Sequence, residues 1–311
     1  MSATPTIKKG IILAGGSGTR LRPLTDAVCK QLLPVYDKPM IHYPLATLML
    51  LGIRDILIIS TPKDTPVLQQ VLGDGRSLGL TLHYRVQPEP KGLPEAFLIG
   101  ADFIAGAPVC LILGDNILHW GGLREIWHEC LSVQRGAYLI GVRSHEPERF
   151  GVIEMDDAGQ IVAIEEKPVL PKSNLVATGL YFYDGHAVDY TRTLKPSVRG
   201  ELEITDLNKI YLEQGTLKVK LMSRGVTWMD TGTFDSLMGA ANFMSIIEQH
   251  QGVKIACIEE VAYNKGFIDY DQLQALAARY GNNPYGDYLR AIDRANLDRK
   301  SQVGSEPRAN Q

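Results

Sequence analysis

The sequence predicts an α/β protein: a mixed, mainly parallel sheet with helices on both faces and a helical piece at its C-terminal end. Three observations carry this. Short runs of Ile, Leu and Val alternate with helical stretches from the N-terminus onward, and strands that are apolar at nearly every residue belong to sheets buried on both sides. The middle of the chain changes to alternating runs around a hairpin turn. Beyond Cys257 only helical patterns remain.

The elements follow in order. Gly10 to Ala14 is a short buried strand. Pro44 to Leu51 is a helix, with Pro at its first position and Gly52 just past its end. Ile53 to Ser60 is a strand, Pro66 to Leu72 a helix closed by Gly73, and Leu80 to Val86 an alternating strand. Leu93 to Phe103 reads as one helix and Val109 to Gly114 as a buried strand. Asp156-Asp157-Ala158-Gly159 is a hairpin signal between strands at 151–155 and 160–165. Val176 to Tyr183 is a strand, Ile204 to Glu213 a helix, Leu217 to Met222 a strand and Phe234 to Glu248 a helix. Tyr270 to Ala278 and Tyr288 to Leu297 complete the helical end. Residues 1–250 form the α/β part, 251–300 a helical piece that is either a lid or an assembly element, and 301–311 a frayed polar tail.

Composition narrows the function. The 311 residues carry 32 Lys and Arg against 35 Asp and Glu, a net charge of −3. Hydrophobic residues make up 45 %, enough for a packed core. The acidic balance argues against a nucleic-acid surface. No apolar run approaches the roughly 18 residues of a membrane span. Cys29, Cys110, Cys130 and Cys257 are widely spaced, which fits buried thiols in a reducing compartment, so the expected location is cytoplasmic.

The positive charge is concentrated. Residues 8–38 alone carry a net +4. Within them Gly15-Gly16-Ser17-Gly18-Thr19-Arg20 follows the first strand. Glycines there let the chain turn at positive φ and turn successive N–H groups inward, toward an anion. A Walker loop is excluded because Thr19-Arg20 stands where Lys-Ser/Thr is needed, and a dinucleotide fingerprint because Leu21 replaces its third Gly. A plain strand-to-helix turn is the remaining alternative.

The stretch Gly10-Ile11-Ile12-Leu13-Ala14-Gly15-Gly16-Ser17-Gly18-Thr19-Arg20-Leu21 is followed by Lys30-Gln31-Leu32-Leu33-Pro34 and Asp37-Lys38-Pro39-Met40-Ile41. Then come Gly114-Asp115-Asn116, Glu165-Glu166-Lys167-Pro168, Gly200 through Asp206, and Trp228-Met229-Asp230-Thr231-Gly232. This ordered set resembles the sugar-phosphate nucleotidylyltransferases, more narrowly their glucose 1-phosphate thymidylyltransferase branch. The resemblance covers nearly the whole chain. It implies a Rossmann-like fold of the nucleotide-diphospho-sugar transferase type, with a sugar-binding insert at about 145–222.

The resemblance also implies the chemistry: transfer of dTMP from dTTP to glucose 1-phosphate, opening dTDP-L-rhamnose synthesis. A phosphate is already a nucleophile near pH 6 and above, so the seven His residues need form no triad. Arg20, Lys30, Lys167, Asp115 and Asp230 are the implied catalytic set, with Asp115 and Asp230 holding Mg²⁺. Leu13, Gly15, Gly16, Ser17, Gly18, Thr19, Gln31, Gln87 and Gly92 are implied for the nucleotide. Asn116, Phe150, Gly151, Glu166, Lys167, Ala177, Arg199 and Trp228 are implied for the sugar phosphate. Taken without the motif, a lone Asp at a strand end is a cap or turn former, and Glu165-Glu166-Lys167 a solvated strand end.

The chain departs from the pattern at Phe150, where many relatives carry Tyr, and at Ala177, where a larger residue is common. The resemblance further implies a homotetramer with a regulatory nucleotide site at subunit interfaces. Uridylyl or another sugar 1-phosphate nucleotidylyl transfer is the competing reading in the same class. A catalytically inactive nucleotide-sugar sensor is the competing reading outside it.

Overall fold

Nine strands make one mixed sheet in a computed structural model that describes residues 6–16, 18–120 and 125–294. Lys9–Ala14 lies at its centre, parallel to Asp55–Ser60 on one side and to Val109–Leu113 on the other. Thr81–Val86 extends the parallel half beyond Asp55–Ser60. On the far side Leu175–Tyr183 runs antiparallel to Val109–Leu113 and carries the rest of the sheet. Ala137–Arg143 pairs along it and in turn holds Leu217–Leu221 in parallel. The hairpin Gly151–Met155 and Ile161–Glu166 joins at Val176.

Side chains of successive strand residues point to opposite faces. Ile12, Ile56, Ile58 and Ile112 enter one apolar core and Ile11, Leu57, Ile59 and Leu111 another. The first core is closed by the helix His42–Leu50 and by Ile258–Asn264 and Tyr270–Ala278 from the C-terminal end. The second is closed by Phe97, Tyr183, Leu207 and Tyr211. The expected sheet with helices on both faces is therefore present. The C-terminal helices share the core of the central strand, with Cys257, Ala262, Leu273 and Leu289 fully buried.

Several expectations change. Leu93 to Phe103 is two short helices, Glu95–Ile99 and Ala101–Ile104, parted at Gly100. A Cβ there would stand 3.0 Å from the Leu57 side chain, so the chain is pressed against the sheet where the helix breaks. The last helix runs Pro284–Arg290 and not from Tyr288; Asn283 caps it by accepting from the Gly286 N–H at 2.8 Å, with Pro284 at its first turn. Residues 295–311, including the expected tail, and Ser17 lie outside the described residues. Asn116–Trp120 and Val226–Asp230, which periodicity did not single out, form a separate two-stranded antiparallel ribbon. Ala137–Arg143 was likewise passed over as a strand.

The end of the strand Leu175–Tyr183 is tied to its surroundings by Asp184, only 2 % exposed. It accepts from the Gly136 N–H at 2.6 Å, the His186 N–H at 2.9 Å and the Tyr211 hydroxyl at 2.8 Å. Asp184→Ala leaves these donors buried without an acceptor and is expected to cost about 2–4 kcal/mol of stability. Urea unfolding of the variant beside the wild type measures it.

Candidate active site

The central strand stops at Ala14, whose carbonyl accepts from the Ser60 hydroxyl at 2.9 Å. The loop then turns through Gly16 at φ +100 and Gly18 at φ +60, conformations that L side chains rarely adopt. Thr25 fastens it by donating to the Gly18 carbonyl at 2.8 Å. The short helical turn Thr19–Leu21 presents Arg20. Gly15, Gly16, Gly18, Thr19, Arg20 and Lys30 line a cleft of about 290 Å³.

The neighbouring strand ends at Leu113, and the chain turns through Gly114 into Asp115. Gly114 is held against the first strand by donating its N–H to the Leu13 carbonyl at 2.9 Å. The ribbon does the rest. Its register sets Asp230 opposite Asn116. Thr231 closes it, donating its N–H and hydroxyl to the Asp115 carbonyl at 3.2 and 2.7 Å. Two aspartates distant in sequence therefore share one site.

Their electrostatics differ. Burial opposes ionisation of Asp115, but the Lys30 ammonium paired with it and the Asn116 amide, donating at 3.0 Å, hold its carboxyl below the ordinary value. Asp230 is pushed up, first by burial and then by the charge of Asp115, with Lys30, Arg149 and Arg20 opposing. Arg149 donates to Asp230 Oδ2 at 3.2 Å. Two repelling carboxylates with only oxygen donors suit a hard divalent cation. Among the described residues no cluster of three or more His, Cys, Asp or Glu forms a full protein cage for a metal.

A second chamber of about 250 Å³ opens behind this pair. Glu166 accepts from the Thr205 hydroxyl at 2.6 Å. Lys167 sits 3.4 Å from the other Glu166 oxygen, on a backbone at φ +46, and Arg199 is held by Glu203 at 2.7 Å. Trp228 donates to Asn116 Oδ1 at 2.6 Å, and the same oxygen accepts the Gly179 N–H at 3.0 Å. Phe150 packs edge-on to Trp228, ring centres 5.0 Å apart. Ring packing is thus kept at this position without a hydroxyl. Gly151 and Ala177 are further wall.

Not all expected residues face these spaces. Leu13, Gln31 and Gln87 are buried behind the loop. The Gln87 amide donates to Glu95 at 2.7 Å, while its oxygen stands only 2.5 Å from where a Gly15 Cβ would be. Gly92, at φ +103, is bridged to Leu202. Conversely, Arg149 and Glu201 line the site and were not singled out. Arg149 directly precedes Phe150, but an isolated charge gives no periodic signal. Glu201 lies inside a motif already recognised.

Comparison with known proteins shows the family. A family described as nucleotidyl transferase matches residues 9–246. A glucose-1-phosphate thymidylyltransferase of Xanthomonas campestris pv. campestris is 55 % identical over 92 % of this chain and 97 % of its own. One from Neisseria meningitidis is 51 % identical over 90 % and 98 %. The crystal structure of a candidate glucose-1-phosphate thymidylyltransferase from Bacillus anthracis, in complex with a sucrose, superposes with a TM-score of 0.71 at 41 % identity, over 76 % of this chain and 94 % of that one. A UDP-glucose pyrophosphorylase at 24 % identity shares the fold, with a TM-score of 0.68 over 78 % and 99 %.

Neutralising Asp115 removes one of the two effects that raise Asp230. In metal-free Asp115→Asn protein the Asp230 carboxyl is expected to titrate at lower pH than in the wild type. Carboxyl carbon NMR across a pH series checks the direction.

Proposed function

The chain belongs to the nucleotidyl transferase family, and from that premise we propose that it transfers the dTMP group of dTTP to α-D-glucose 1-phosphate. The products are dTDP-glucose and pyrophosphate. The observation that carries the proposal is the meeting of two chambers: the glycine-loop cleft and the Glu166–Lys167–Arg199 cavity share Arg20, Lys30, Asp115, Glu201 and Gly232. A triphosphate in the first and a sugar phosphate in the second would face each other across those residues.

In this reading an oxygen of the sugar phosphate attacks the α-phosphorus. The bond from that phosphorus to the β-phosphate bridging oxygen breaks, and its electron pair leaves with pyrophosphate. No general base is needed, because the phosphate enters ionised. The protein's work is positioning and charge compensation. N–H groups of the Gly15–Thr19 loop and the charges of Arg20 and Lys30 hold the triphosphate and receive the charge that develops on the leaving group. Lys167 and Arg199 bind the sugar phosphate. Glu166, oriented by Thr205, takes sugar hydroxyls, with Asn116, Phe150, Gly151, Ala177 and Trp228 shaping the cavity. Leu13, Gln31, Gln87 and Gly92 support the nucleoside side from beneath the loop. Asp115 and Asp230 would hold Mg²⁺, which when bound supplies positive charge to the phosphate oxygens.

The same reading assigns the product to dTDP-L-rhamnose synthesis in the cytoplasm. Among the described residues no helix is long and apolar enough to cross a membrane. It also includes a homotetramer with an interface nucleotide site. Phe234, Met238 and Ile246, exposed along the helix Phe234–Gln251, support an assembly face there.

Pyrophosphate release with glucose 1-phosphate, Mg²⁺ and a panel of nucleoside triphosphates tests the reaction. dTTP is expected to lead. UTP, lacking one methyl group, should follow within roughly 10–200-fold in kcat/KM. Turnover with CTP or GTP but not dTTP would replace the nucleotide assignment. Arg20→Ala is expected to lower kcat by about 10²–10³. Mg²⁺-dependent turnover surviving in the double variant Asp115→Asn, Asp230→Asn would remove both residues from the cation site.

A further inference from the structure

Arg149 stands between two carboxylates in unlike surroundings. It donates to Glu146 Oε2 at 2.5 Å and to Asp230 Oδ2 at 3.2 Å. The Glu146 side chain is 61 % exposed and that of Asp230 only 18 %. The guanidinium also lies 5.4 Å from the centre of the Phe150 ring, and that ring rests on Trp228. Its remaining face opens on the chamber that holds Lys167 and Arg199.

Each of these contacts limits what Arg149 can do. A divalent cation at the site would draw on the Asp230 carboxylate, whose Oδ2 Arg149 already occupies, so the two positive charges compete for one group. A guanidinium is a planar fork with several donors and a permanent charge. It can therefore give up Asp230 by a small rotation while Glu146 and the Phe150 face keep it in place. An anion between Lys167 and Arg199 offers the freed donors a new partner, and charge-assisted bonds to phosphate are among the strongest available to Arg.

We propose that Arg149 is a positioning residue that withholds Asp230 from the divalent cation until a sugar phosphate draws it away. The proposal rests on the reading of Asp230 as a cation ligand and adds to it a cause for joint loading. Cation and sugar phosphate then bind with positive coupling, and the coupling is reciprocal. No covalent step is involved.

The test uses Mn²⁺ as the probe, with free Mn²⁺ counted by electron paramagnetic resonance, on the full chain with and without glucose 1-phosphate. The wild type is compared with Arg149→Met, Arg149→Lys and Asp230→Asn. Arg149→Met is expected to bind Mn²⁺ about tenfold tighter than wild type in the absence of sugar phosphate, a factor usual for coupled sites. It should also lose most of the extra tightening that glucose 1-phosphate brings to the wild type. Arg149→Lys, with one compact ammonium, is expected to fall between the two and serves alone if the Met variant does not fold. A merely structural ion pair would leave the coupling as it was. Mn²⁺ affinity and coupling unchanged at Arg149→Met and Arg149→Lys, with binding lost in Asp230→Asn, overturns this proposal alone. Undiminished binding in Asp230→Asn overturns the reading of the cation site on which it stands.

Discussion

Two carboxylates set close together in a partly dry site repel each other, and much of this molecule is arranged around that repulsion. Asp115 and Asp230 reach the same place from a strand end and from a ribbon. Burial makes their charge more costly and their mutual repulsion stronger. Lys30, Asn116 and Arg149 each contact one of the pair, and Arg20 adds its charge nearby. The balance is uneven, with Asp115 held ionised and Asp230 resisting ionisation. A set of cations and carboxylates in this state responds to whatever charge enters next, which is what the proposed substrates and cation would require.

The sheet explains why these groups can meet. Adjacent parallel strands end at the same edge, so the loop after Ala14 and the turn at Gly114 lie side by side. Ligands of open α/β sheets bind at such carboxyl ends. A Cβ at Gly114 would come within 3.0 Å of the Ala14 backbone, and one at Gly179 within 2.5 Å of Asn116 Oδ1. Close approach of main chain, permitted by missing side chains, sets the width of the site.

The helix Phe234–Gln251 ties this edge to the rest of the chain. It starts four residues past the Asp230 position, capped by Thr233 and Ser236. Near its other end Glu248 takes the buried ammonium of Lys38 at 2.8 Å and the Ile255 N–H at 2.8 Å. Asp37 and Lys254 complete the cluster. Such buried pairs add little net stability but are costly to leave half-made. They hold the segment that follows Lys30 in one position relative to the helix that follows Asp230.

Much of this was legible in the sequence. Period-two and helical patterns located most strands and helices of the large sheet, because burial of one face imposes its period on residue type. The glycine loop was legible because positive φ restricts residue choice, and the motif set carried Asp115, Lys167 and Asp230 through resemblance. Charged groups whose partners are remote were less legible. Arg149 beside Asp230 and Glu248 around Lys38 leave no local period, since a salt bridge across the fold constrains two positions and not a spacing. The Leu93 to Phe103 helix failed for a related reason: it parts at Gly100, a weak helix former pressed against Leu57 of the sheet. The sequence by itself determined the class of fold and the glycine loop, and marked the residues proposed to bear the chemistry. Only the tertiary structure decided which charges face which, because Coulomb and hydrogen-bond energies depend on distance and burial, and those are set by strands that the chain brings together from far apart.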